Sequence, residues 1–425
     1  MKRNLMLAFV AGAASAVVLL TAAVLATAPQ EAQAAAWPPE IAADSNAFFT
    51  GGPNMSDRDM YFPGTEKLGA DEMRVIACGT GMPNQRPKQA AACWLVELGN
   101  GEKFLFDIGT GSSERISALN IPYDSLDKVF VGHLHSDHFG DMDALWIGGV
   151  VAGRINKLRV WGPDGPREEW STAYAMDLLQ KMYQWDLATR SGVIDGRGLE
   201  MEVNEFDRRG INAVIYEENG VVIRTVPAIH GTDGPVSFIL EWNGLKFAFS
   251  SDTYPNKWWI EHTQDADIAI HECFLPPNIL VERFGFAPIE ALQVGTQGHT
   301  APGQFAKVMA LTEPRMAVGY HFFNDFDTAP EILRQVRMVY DGPLALAEDY
   351  MVFNVTKDDI RVRMAVVDEA AWPPGAIQEK NPPNFAEAVP PSDFLRSGAE
   401  PFPEIVQKYY DAINQMYGTD HKPGY

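Results

Sequence analysis

Apolar positions along this chain change period several times, and the changes divide it. Between 73 and 107 they come in short runs, 74–78, 91–98 and 103–107, separated by Gly-containing breaks, which predicts strands of one sheet. Leu126, Val129 and Val131 then alternate ahead of a polar loop. Segment 141–151 predicts a helix, and 158–165 a strand running into a turn. Residues 168–187 carry Trp170, Tyr174, Met176, Met182, Tyr183 and Trp185 at mixed helical spacing. Most of these are expected in the core, with one or two left to line a pocket.

The second half repeats the alternation of strand and helix. Runs 221–227, 235–241 and 245–250 predict strands, the last two joined by Asn243-Gly244, a strong hairpin signal. A strand at 267–272 leads into a stretch with Pro276, Pro277, Phe284, Phe286 and Pro288, expected as a loop forming one wall of an apolar pocket. Then follow a helix at 304–311, a strand at 316–321 and a helix at 330–340. Two runs of strands with flanking helices predict stacked sheets covered by helices, an α/β architecture. Segment 371–403 is too rich in proline for a core element and is expected as an extended arm lying on the domain. Residues 404–417 place Ile405, Val406, Tyr409, Tyr410, Ile413 and Met416 on one helical face. Such a helix docks on the domain or on a second copy, making a homodimer, and the sequence leaves the two open.

The ends add a different kind of information. Met1-Lys2-Arg3, an uncharged Ala/Val/Leu-rich run to Gln30, and Ala32-Gln33-Ala34 read as a secretory signal over 1–34. An uncleaved membrane anchor is the alternative, and both predict an exported protein, periplasmic or extracellular. The expected organisation is therefore a signal at 1–34, an irregular extension at 35–72, a catalytic domain at 73–366, and the arm and terminal helix at 367–425.

With 34 basic against 56 acidic residues and a net charge of −22, the chain is poorly suited to neutralising nucleic-acid phosphates. A small-molecule substrate is expected instead. Cys78, Cys93 and Cys273 cannot build a disulfide framework. Cys78 and Cys93 fall on successive strands, where pairing and burial as inert thiols both remain open.

The chemistry concentrates after the strand near Val131, in His133, His135, Asp137 and His138. Imidazole and carboxylate suit zinc and related cations, and four such donors in one short loop exceed what a single tetrahedral ion takes from one segment. Two divalent ions are the natural reading, zinc favoured, with manganese and iron compatible.

Read with Gly79-Thr80-Gly81 and Phe106-Asp107-Ile108-Gly109, the motif His133-x-His135-x-Asp137-His138 resembles the metallo-β-lactamase superfamily, and within it the ribonuclease Z and arylsulfatase-like branch. The resemblance implies an αββα metallo-β-lactamase sandwich, here with N-terminal and Pro-rich C-terminal extensions. It implies His133, His135 and His230 as ligands of one metal, Asp137, His138 and His321 as ligands of the other, and Asp252 as the bridging carboxylate. Asp107 would support the metals from behind, cap the loop before Gly109, or do both. Two ions about 3.5–4 Å apart lower the pKa of the water between them, giving a hydroxide nucleophile and a clamp for the developing oxyanion. Asp137 belongs to that catalytic centre. His271-Glu272 and Gly298-His299-Thr300 are similar to two further motifs of the branch. They imply His299 as proton donor to the leaving group and Glu272 as the carboxylate that orients it. His271 is expected to serve structure more than catalysis.

One departure bears on substrate. Only 21 residues lie between His230 and Asp252, whereas ribonuclease Z enzymes usually insert a tRNA-gripping arm there. With the acidity and the signal, this points to a hydrolase of small ester-like substrates, phosphodiester or aryl sulfate first. A lactonase or β-lactamase-type acyl hydrolase is the alternative, ahead of a ribonuclease Z-like endonuclease or a non-catalytic binding protein.

Overall fold

The computed structural model describes residues 59–423. The expected signal at 1–34, and 35–58 of the expected extension, lie outside them. Among the described residues sixteen strands form two sheets. The first half contributes β1 (Met60–Tyr61), β2 (Met73–Gly79), β3 (Cys93–Leu98), β4 (Lys103–Phe106), β5 (Lys128–Phe130), β6 (Leu158–Pro163) and β7 (Met201–Phe206). A second sheet is made by β8 (Ala213–Glu218), β9 (Val221–Pro227), β10 (Val236–Trp242), β11 (Leu245–Phe249), β12 (Ile268–Glu272), β13 (Met316–Tyr320) and β14 (Leu344–Leu346). The chain then returns to the first sheet with β15 (Met351–Val355) and β16 (Ile360–Ala365).

The first sheet is ordered β1-β16-β15-β2-β3-β4-β5-β6-β7, the second β14-β13-β12-β11-β10-β9-β8. Strand β2 is buried throughout, as its largely apolar sequence requires of a strand covered on both faces, and its one charge, Arg74, pairs with Glu97 at 2.7 Å. Asn243 and Gly244 both take positive φ, 51° and 76°, the geometry of a type I′ turn, so β10 and β11 pair as a tight hairpin. Strand β1 pairs with β16, so the first sheet reaches into the segment N-terminal to Met73.

Between the sheets lies an aromatic core: Phe106 packs at 4.9 Å from Phe247, and Phe130 stacks at 4.7 Å on Trp161. A second apolar cluster joins the outer face of the first sheet to helices around Ile116, Leu145 and Met176. A third joins the outer face of the second sheet to the helices Pro302–Thr312 and Ala329–Arg337. This is the αββα sandwich.

Strands β4, β5 and β6 run parallel, as do β11, β12 and β13. Within each set, the C-terminal ends therefore open on one edge, and the loops leaving β4, β5, β9, β11, β12 and β13 carry the ligand-type residues.

Three expectations need correction. Residues 277–298 are not a loop: they form the helices Pro277–Phe284 and Pro288–Gln293 and a further turn, Val294–Gly298. Pro277 and Pro288 occupy the first helical position, where a missing N–H costs nothing. Phe284 and Phe286 pack against each other and the third cluster instead of walling a pocket. Of the six large residues in 168–187, only Met176 is fully buried, and Met182 and Trp185 are exposed.

The Pro-rich arm lies on the domain as expected: Ile377 N–H and Gln378 N–H donate to Asp124, and Asn381 N–H to Asp195. Beyond it the helix Pro403–Tyr417 buries none of its residues, so its apolar face is not seated on the domain. Among the described residues no helix is long and apolar enough to cross a membrane.

Candidate metal centre

The loop after β5 brings His133, His135, Asp137 and His138 to the sheet edge, and three distant segments complete the cluster. Asp252 is at its middle. Its Oδ1 stands 3.3 Å from Nε2 of both His138 and His321. Its Oδ2 stands 3.7 Å from His230 Nε2, 3.8 Å from His299 Nδ1 and 4.0 Å from His133 Nε2. Asp137 reaches His321 Nε2 at 3.1 Å and His138 Nε2 at 3.6 Å, and His135 Nδ1 faces His230 Nε2 at 3.1 Å.

Two overlapping groups able to hold an ion result: His133, His135, His230 and Asp252, and Asp137, His138, Asp252 and His321. In each, the ligand atoms lie within 4.8 Å of one another. Asp252, Glu272, His299 and His321 make a third. All seven residues expected as ligands are thus brought together, and His299 and Glu272 stand beside them.

The donors fit divalent ions. Nε2 of His133 and of His138 is buried and has no hydrogen-bond partner among the described residues, although an Asp252 oxygen is near each. Buried polar atoms that converge without satisfying one another are costly unless something binds them.

Groups behind the cluster fix the orientation of its side chains. Asp107 accepts from Gly132 N–H at 2.7 Å, meets His138 Nδ1 at 2.6 Å and accepts from Ser251 Oγ at 3.0 Å. Ser251 Oγ also lies 3.2 Å from His133 Nδ1. His230 Nδ1 is 2.8 Å from the carbonyl of Gly298, so its proton sits there and Nε2 is left for an ion. Gly132 permits the approach: a Cβ on it would come within 2.3 Å of Ser251 Oγ.

Removing the Asp107 carboxylate by Asp107→Ala should lower metal affinity by about 10–100-fold, because His138 loses the partner that sets its tautomer. Competition against a chromogenic chelator reads this. An unchanged affinity would refute the orienting role.

Burial opposes ionisation of Asp252, but His321 and His138 outweigh it and hold the carboxyl well below the usual range. Burial, with the neighbouring His138, pulls His133 well down, keeping it neutral and ready to coordinate. Burial pushes Glu272 well up, and the Asp252 charge adds to this.

Glu272 Oε2 stands 2.8 Å from His299 Nδ1, while Oε1 accepts from Thr253 N–H. The His299 ring stacks on Phe274 at 4.0 Å with planes 7° apart. His271 turns the other way, into the apolar layer against Trp259, with Nδ1 on the Glu272 carbonyl and its pKa pulled down to about 4 by burial. It is structural.

Sequence reasoning missed Ser251, Phe274 and the Gly298 carbonyl. Ser251 had a signal in its place directly before Asp252. A backbone carbonyl leaves none. The three cysteines are free and buried, with Cys93 raised well up by burial.

Residues 73–281 match the family described as Anti-Pycsar protein Apyc1. The ribonuclease Z of Mycobacterium marinum is 30% identical over 192 residues, covering 43% of this chain and 64% of that enzyme, so the chain spans less than two thirds of that relative's length. The ribonuclease Z of Ignicoccus hospitalis is 22% identical over 301 residues, covering 65% of this chain and 96% of that enzyme. Among solved structures, the metallo-beta-lactamase fold protein YhfI from Bacillus subtilis superposes with a TM-score of 0.50 at 16% identity, covering 67% of this chain and 100% of that one. The two-sheet architecture and the superposition on YhfI show the metallo-β-lactamase fold, and over part of its length the sequence is similar to ribonuclease Z enzymes.

Proposed function

We propose that the protein is an exported, binuclear metal-dependent hydrolase of small ester-like substrates, with phosphodiesters and aryl sulfates favoured. The observation that carries this reading is the convergence of His133, His138, His230 and His321 on the Asp252 carboxylate, with the Glu272–His299 pair beside it. His133, His135, His230 and Asp252 would hold one ion, and Asp137, His138, Asp252 and His321 the other. Zinc is favoured by the histidine-rich set, and manganese and iron suit the same donors. When bound, two such ions supply Lewis-acid charge and make water acidic enough to act as a nucleophile near neutral pH.

The chain's own groups supply the rest. Asp107, Ser251 and the Gly298 carbonyl hold His138, His133 and His230 in place. With Nδ1 of His299 engaged by Glu272, Nε2 is the atom that meets the departing oxygen and delivers a proton to it. Small substrates are supported by a cleft of about 500 Å³ at His133, His135 and His230, within the range of small-molecule sites. The short stretch from His230 to Asp252, taken up by the tight β10–β11 hairpin, and the acidic composition both argue against polynucleotides.

Protein loaded with zinc or manganese, offered nitrophenyl phosphodiester and nitrophenyl sulfate, should turn over one or both. A chelator should abolish the activity and added metal restore it. Chelator-insensitive turnover, or none on either ester after loading, would overturn the reading.

A further inference from the structure

The cleft beside His133, His135 and His230 has a lining the hydrolase reading does not explain. Its walls are mostly apolar, with Leu134, Pro163, Trp170 and Pro235 among them. No Lys or Arg lines it; the charged residues that do are Asp164, Glu169 and Asp233. Asp164 is held by Arg208, through its backbone N–H at 2.9 Å and its guanidinium at 3.1 Å. Glu169 and Asp233 are exposed, and no cation is paired with either among the described residues. An anionic substituent entering here would meet two uncompensated carboxylates.

Trp170 stands out on the apolar side. It ends the short turn Glu168–Trp170, packs into no core cluster and is 48% exposed while lining the cleft. The Arg167 guanidinium lies over its ring at 4.7 Å, a cation–π contact that holds the indole in position. An exposed indole at the wall of a catalytic cleft is a stacking surface for a planar apolar group.

The position of His299 says which part of the substrate comes here. His299 does not line this cleft. Resting on the proposed role of His299 as proton donor, the leaving group departs on the His299 side and the other substituent of the ester fills the cleft.

We propose that this cleft is the subsite for the non-departing substituent of a phosphodiester, that the substituent is an aromatic group bearing no negative charge, and that Trp170 is the wall it stacks on. Glu169 and Asp233 are the specificity determinants that reject anionic substituents.

Equilibrium binding to the metal-loaded full chain tests this without turnover. Diphenyl phosphate and dimethyl phosphate, both with poor leaving groups, are compared by titration calorimetry. Diphenyl phosphate should bind about tenfold more tightly than dimethyl phosphate, in line with aromatic stacking plus apolar burial, and Trp170→Ala should remove most of that advantage. Bis(4-carboxyphenyl) phosphate should bind at least about fivefold more weakly than diphenyl phosphate, and the combined Glu169→Gln, Asp233→Asn variant should narrow the gap. Equal affinity for the phenyl and methyl diesters, or a phenyl advantage that survives Trp170→Ala, overturns the proposal. Because affinity is read directly, failure of the hydrolase reading would appear separately, as absent turnover with the binding preference intact. All three side chains lie on the surface, so loss of folding does not confound the result.

Discussion

Asp252→Ala is expected to strip the centre of both ions. Among the described residues its carboxylate belongs to all three groups able to hold metal, and its two oxygens face five histidines. Replacing it removes the negative charge shared by two ions and leaves their mutual repulsion uncompensated in a buried site. Metal content by elemental analysis should fall from two ions per chain to below one. Hydrolysis of a nitrophenyl phosphodiester should fall by at least ~10³-fold, since Lewis-acid stabilisation supplies several kcal/mol and each 1.4 kcal/mol is about tenfold. Zinc loading should raise the melting temperature of the wild type and leave that of the variant unchanged. Two retained ions in the variant would show that Asp252 is not the bridge.

His299→Ala should behave differently, and the contrast separates the two roles. Metal content should stay at two, because the seven proposed ligands are intact. The loss of rate should depend on the leaving group: about 10²–10⁴-fold in kcat for an alkyl ester, whose departing oxygen needs a proton, and under about tenfold for nitrophenol, which leaves unaided. Glu272→Gln should follow the same pattern with smaller losses, since the amide still occupies the position beside His299 Nδ1 but cannot stabilise its charged form. A uniform loss across leaving groups would assign His299 to electrostatic support of the transition state.

Much of this cluster was legible because its ligand-type residues are side chains at strand ends. The loop from His133 to His138 declares itself by density, and His230, weak alone, gains weight from Asp252 and His321 downstream. The orienting shell was harder to read. Ser251 looks like any serine at the end of a strand, and only the folded chain shows it between Asp107, His133 and His138. The error over 277–298 came from treating Pro277 and Pro288 as breakers when each opens a helix. The error over 168–187 came from periodicity, which reports that a helix forms but not how much of it is covered. Trp170, one of the six large residues of which one or two were left to line a pocket, lines the cleft.

Asp107, Ser251 and His321 share a feature whose consequence lies outside catalysis. All three are held in left-handed backbone, with φ of 58°, 49° and 70°, a conformation that costs side chains other than glycine about 1–2 kcal/mol each. Glycine would relax the main chain at each position and delete an orienting or coordinating group in the same step. Relief of the main chain is opposed at these sites by the groups left behind: Asp107→Gly would strip the acceptor from Gly132 N–H and Ser251 Oγ, and each buried donor so stranded costs about 1–3 kcal/mol. A screen for melting temperature alone would therefore keep the strained residue, so backbone strain and the orientation of the cluster are held together by the same side chains.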